Sequence, residues 1–121
     1  MLLDSFFQIR RIKKGETNVV EISLNPNHDI YKGHFPDMPV VPGVCQVQMF
    51  KEILEVLAGS KLQLIKDVNM KFISVLNPLE NPDLTFEFKY SEAADGILKA
   101  SGTLKAGETK FFSTKSSYTV K

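Results

Sequence analysis

The sequence predicts an α+β domain in which an antiparallel sheet wraps one long buried helix. Three observations carry that prediction. From Gly43 to about Ala58, "GVCQVQMFKEILEVLA" has no helix breaker and is rich in good helix formers. Several later stretches alternate apolar and polar residues, as half-buried strands do. Clusters of Pro, Gly and Asn separate these stretches without any linker or repeat that would divide the chain. One long helix followed by about four antiparallel strands gives a sheet enough apolar surface only if it closes over the helix.

Taken in order, residues 6 to 12 form a first candidate element. Residues 18 to 24, "NVVEISL", place Val20, Ile22 and Leu24 on one strand face. On the helix, Gln48, Lys51, Glu52 and Glu55 gather on one side, while Val44, Val47, Phe50, Ile53, Leu54 and Leu57 cover most of the rest. That distribution predicts a largely buried helix. After Gly59 an apolar strand pattern runs through "LQLIKDVNMKFISV", and "NPLENPD" reads as a turn. In "LTFEFKY", Phe86, Phe88 and Tyr90 alternate with Glu87 and Lys89. "ILKASGTLKA" and "TKFFSTKSSYTV" flank Gly107 and Glu108, which predicts a hairpin.

A length of 121 residues suits a single domain spanning 1–121 with one modest core. The 15 basic residues against 14 acidic ones leave no surplus to neutralise a phosphate backbone or hold an anionic membrane, so neither nucleic acid nor membrane is an expected partner. The opening "MLLDSFFQIRR" carries Asp4 where a secretory signal needs an uninterrupted apolar stretch, which points to the cytoplasm. A single cysteine, Cys45, excludes an internal disulfide and a multi-Cys zinc site. His28 and His34 are too few ligands for a metal site, and no cofactor is expected.

The chemistry concentrates in "GHFPDMPVVPGV". Gly33 permits unusual backbone geometry, while Pro36, Pro39 and Pro42 each fix a dihedral and extend the preceding residue. Pro42 and Gly43 lead into a helix whose first N–H groups lack intrahelical partners and carry the positive end of its dipole. A stiff loop presenting His34 beside such an end offers a base and an oxyanion site within one segment. That pairing suits proton abstraction next to a polarised carbonyl.

"GHFP", then Pro39, then "PGV", resembles the active-site segment of the β-hydroxyacyl-acyl-carrier-protein dehydratases, and "MKFISVLNP" resembles that family's Lys-Phe strand and proline turn. The resemblance spans residues from about 18 to 120 and departs most around "NPLENPD". It implies the hot-dog fold, a long central helix wrapped by a curved antiparallel sheet. It also implies His34 as the group that removes the α-proton of a 3-hydroxyacyl thioester on acyl-carrier protein, and Gly43 as the backbone N–H that polarises the thioester carbonyl. Family members pair so that the histidine of one subunit meets the helix of the other; a homodimer and a trimer of dimers both satisfy this.

Where the family carries a Glu or Asp, fourteen residues after the histidine, this chain has Gln48. An amide cannot ionise, so it can orient a hydroxyl or a water but cannot act as a general acid. Three readings follow. His34 performs both proton transfers while Gln48 orients the leaving group; or the chain is a weakly active or inactive subunit that binds carrier protein or pairs with an active relative; or the pocket serves thioester hydrolysis. Without His34, Gln48 would read as the start of a solvated helix face with Glu52 and Glu55. Glu52 would have to reach back about 6 Å along the axis to replace the missing acid. Cys45 reads as a small buried hydrophobe, and Met38, Met49, Phe50 and Phe72 as core by default, although the resemblance implies that such side chains also line the tunnel that holds the acyl chain. Lys13, Lys14, Lys32, Lys66 and Lys71 are the basic candidates for receiving an acidic carrier protein.

Overall fold

The computed structural model describes residues 1–32, 39–92 and 95–121, with the backbone alone at 66–68. Strands β1 (Phe7–Lys13) and β2 (Asn18–Leu24) open the chain, and a single 3-10 turn follows at Asp29–Tyr31. Helix α1 (Gly43–Ala58) precedes strands β3 (Leu62–Phe72), β4 (Asp83–Glu92), β5 (Ile97–Ala106) and β6 (Thr109–Val120). The strands form one six-stranded sheet in the order β1-β2-β4-β5-β6-β3, with every neighbouring pair antiparallel. It is strongly curled, a half-barrel around α1.

The period of two decides which side chains enter. Val20, Ile22 and Leu24 of β2, Leu84, Phe86 and Phe88 of β4, Leu98 and Leu104 of β5, and Phe112 and Tyr118 of β6 are all buried. Helix α1 meets them with Met49, Phe50, Ile53 and Leu54. The inner face of β6 also carries hydroxyls, and these bond among themselves: Thr114 Oγ1 to Ser116 Oγ at 3.0 Å, and Ser116 Oγ to Tyr118 OH at 3.0 Å. Such pairing removes the penalty of burying them.

Glycine ends two elements. Gly59, at φ 72°, closes α1 in the left-handed conformation and donates its N–H to Glu55 O. Gly107, at φ 59°, occupies the first position of the two-residue turn that joins β5 to β6. In the "NPLENPD" turn, Asn77 Oδ1 accepts from Leu79 N–H and Asn77 O accepts from Asn81 N–H.

Two expectations about packing need correction. Val44 is 78% exposed, because it sits in the first helical turn, on the side away from the curled sheet. Phe72, expected in the core, is 52% exposed at the end of β3, with its ring stacked on Phe112 at 5.2 Å. Met49 and Phe50 are core residues, as expected.

Candidate active site

The start of α1 has the form a developing oxyanion needs. Pro42 is the N-cap, in extended conformation, and supplies no side-chain cap. Its carbonyl accepts from the N–H of Cys45 and Gln46, while no acceptor among the described residues reaches the N–H of Gly43 or Val44. These two amides carry the positive end of the helix dipole. Beside them lies a cavity of about 370 Å³, lined by Val40, Val41, Gly43, Gln46, Phe72 and Leu76 among others. A Cβ at position 43 would come within 2.9 Å of the Phe72 ring, so glycine lets the ring lie against the helix start.

Gln46, which sequence reasoning passed over, is 3% exposed and lines this cavity. Its Nε2 donates to Val41 O at 3.2 Å, and among the described residues its buried Oε1 has no partner. The only signal for it in sequence is an amide among the helix's apolar positions. The buried Tyr31 hydroxyl also lacks a partner among the described residues.

Gln48 lies five residues beyond Gly43, about 7.5 Å further along the axis. It is half-buried, and its Nε2 donates to Glu52 Oε2 at 2.8 Å. Glu52 is 2% exposed. Its carboxylate also accepts from Leu2 N–H at 3.0 and 2.9 Å and from Leu3 N–H at 2.8 Å. Among the described residues no lysine or arginine pairs with it. Glu55, the last member of the stripe, accepts from Leu62 N–H at 2.8 Å. The polar stripe is therefore no solvated face. Glu52 anchors the amino-terminal segment, and Glu55 anchors the start of β3.

His34 lies outside the described residues, as do Gly33, Phe35, Pro36 and Met38. Gly43 and Gln48 stand on α1 at the expected positions. Lys13, Lys14, Lys32 and Lys71 are exposed; Lys32 pairs with Asp29 at 3.0 Å.

Cys45 is buried, and burial pushes its thiol pKa up. Burial, with Cys45 close by, raises the Tyr31 phenol well above its usual range. Both groups are held neutral by the fold and ionise more easily in the unfolded chain. Their stabilisation is complete below the ordinary thiol pKa and is lost as pH rises through the folded-state values. Stability to urea should accordingly be flat near pH 7 and fall above about pH 9. Cys45 should resist iodoacetamide at pH 7.5, and fast alkylation of the native protein would contradict its burial.

A family model, ApeI-like: ApeI dehydratase, matches residues 10–110. The chain belongs to the ApeI-like dehydratase family. Among curated relatives, the 3-hydroxyacyl-(acyl-carrier-protein) dehydratase FabZ of Caldanaerobacter subterraneus is 27% identical over 108 residues, covering 84% of this chain and 75% of that one. The FabZ of a Thermoanaerobacter species is 28% identical over 109 residues, with the same coverage. Among solved structures, the dehydratase heterocomplex ApeI:P of Xenorhabdus doucetiae superposes with a TM-score of 0.66 at 19% identity, covering 92% of this chain and 96% of that one. A Staphylococcus aureus thioesterase gives 0.66 at 10% identity, covering 95% and 93%. Both likenesses establish the hot-dog fold. Among the described residues no helix is long and apolar enough to cross a membrane.

Proposed function

We propose that this chain is one hot-dog domain that dehydrates a 3-hydroxyacyl thioester carried on acyl-carrier protein, acting in the cytoplasm. The observation that carries the reading is the pair of amides at Gly43 and Val44, without an acceptor among the described residues, opening beside an apolar cavity in a chain of a dehydratase family. His34, as neutral imidazole, takes a proton from C2 of the substrate. The electron pair moves onto the thioester oxygen, which the Gly43 N–H stabilises. When that pair returns, the C3–O bond breaks, and the hydroxyl leaves as water with the proton held by the imidazolium. The product is a trans-2-enoyl thioester.

A homodimer fits this chemistry. Strand β3 is an edge of the sheet, and Phe72, Ile73, Val75 and Leu79 are exposed at or beyond its end, with Val44 exposed at the start of the helix. An edge strand beside exposed apolar side chains invites a second chain. Native mass spectrometry should find a dimer or a multiple of one, and Val75→Lys should shift it toward monomer. A monomeric wild-type chain at micromolar concentration rejects the assembly.

A second reading has its own observation in favour: no carboxylic acid stands at position 48, and the nearest carboxylate is occupied by backbone amides. The chain would then serve as a weakly active subunit of a complex with a catalytic relative. Incubation with a 3-hydroxyacyl carrier protein, followed by mass spectrometry, separates the readings. Loss of water from the acyl chain supports dehydration. Carrier binding without turnover supports the subunit role, and release of free thiol indicates hydrolysis.

A further inference from the structure

We propose that Glu52 is the positioning residue for Gln48. Its carboxylate fixes which end of the Gln48 amide the reactants meet. The inference rests on the dehydratase reading for its kinetic consequence, but its geometric content stands apart from activity.

A carboxylate that accepts from Leu2 N–H, Leu3 N–H and Gln48 Nε2 can neither drift nor turn. Glu52 is tied through the main chain of residues 2 and 3 to the start of the fold. There Leu2 O accepts from the N–H of Phe6 at 2.7 Å and from that of Phe7 at 3.3 Å. An ionised carboxylate only accepts hydrogen bonds, so the nitrogen of Gln48 must face it and Oε1 must face the other way. No described residue donates to that oxygen. Gln48 therefore offers an acceptor. An acceptor engages the hydrogen of a C3 hydroxyl and leaves the hydroxyl oxygen's lone pairs for the proton returning from His34. A donor in the same place would compete for those lone pairs.

The same contact makes Gln48→Glu a sharp probe. The introduced carboxyl would lie against the carboxylate of Glu52, at the distance now bridged by one N–H···O bond of 2.8 Å. Two carboxylates so close and half shielded from water cannot both ionise near neutrality, and the pair keeps a proton. Such a proton is what the family's missing acid would supply.

Three proteins test the proposal: Gln48→Glu, Glu52→Gln, and the double variant. In Gln48→Glu, carbon-detected NMR titration of glutamate side chains should show one apparent carboxyl midpoint raised by a unit or more above the usual range. In the double variant that midpoint should return to the ordinary range, because an amide now faces the introduced carboxyl. Turnover of Gln48→Glu at pH 7 should exceed wild type by at least about tenfold, with the gain fading above the raised midpoint. Glu52→Gln reverses the polarity of the contact, so the Gln48 amide turns over and presents its donor. Its kcat should drop about tenfold while the chain remains folded. Ordinary midpoints for all carboxyls in Gln48→Glu would overturn the proposal, as would unchanged kcat and KM in Glu52→Gln. A raised midpoint with no dehydration in any of the proteins supports the placement and rejects the dehydratase reading instead.

Discussion

His34→Ala should bring enoyl-thioester formation down to the background of the assay. Under the proposed mechanism one imidazole removes the C2 proton and returns it to the departing hydroxyl, so its loss removes both transfers. A positioned base alone is worth a hundred- to ten-thousandfold, roughly. Among the described residues no neighbour can take over: Gln48 is an amide already committed to Glu52, and the Glu52 carboxylate is filled by backbone N–H groups. Cys45 is buried with its thiol held neutral, which removes the other nucleophile near the helix start. Mass spectrometric detection of the enoyl product provides the measurement. A variant within threefold of wild type would remove His34 from the chemistry and leave Gly43 and Val44 as binding groups only.

The fold was legible because each element keeps its own period. "NVVEISL" buries residues 20, 22 and 24, and "LTFEFKY" buries 84, 86 and 88, as alternation requires. The helix ran without a breaker from Gly43 to Ala58 and stopped where Gly59 could turn left-handed. Much of the site was hidden because it depends on partners far away in sequence. Projected on a helical wheel, Glu52 belongs to a polar stripe; only the amides of Leu2 and Leu3, fifty residues earlier, turn that stripe into a buried anchor. Gln48 is likewise defined by its partner: the spacing from His34 singled it out, but the direction of its amide follows from Glu52. Phe72 shows the opposite limit. Its place in an apolar strand predicted burial, yet that strand is an edge, and the Phe72 ring ends over Gly43 instead of inside the core. Gln46 showed in sequence only as an amide among apolar helix positions, and nothing in its neighbours announces an acceptor without a partner among the described residues.

Phe50→Ala should lower the stability of the fold by about 3–5 kcal/mol. Phe50 is the ring that joins helix to sheet: it lies edge-on to Phe88 at 5.5 Å and tilted against Phe86 at 5.7 Å. Opposite it stands Gly102, where an added Cβ would fall 2.9 Å from Phe50 Cε1 and 2.8 Å from Phe88 Cβ. The ring therefore occupies the room a side chain on β5 would otherwise need. Strands β4 and β5 are each paired on both sides, so the sheet cannot collapse into the vacated space, and the cost should fall toward the upper end of the range. Gly102→Ala alone should also destabilise, because both obstructing groups are buried and cannot swing aside. Combined with Phe50→Ala, the new methyl meets an empty space on one side and only the Phe88 Cβ on the other. The double variant should then lose less than the sum of the singles by about 1 kcal/mol. Urea unfolding at one fixed protein concentration reads all three. Strict additivity would mean that the two positions do not share that space, and that the core is assembled around some other contact.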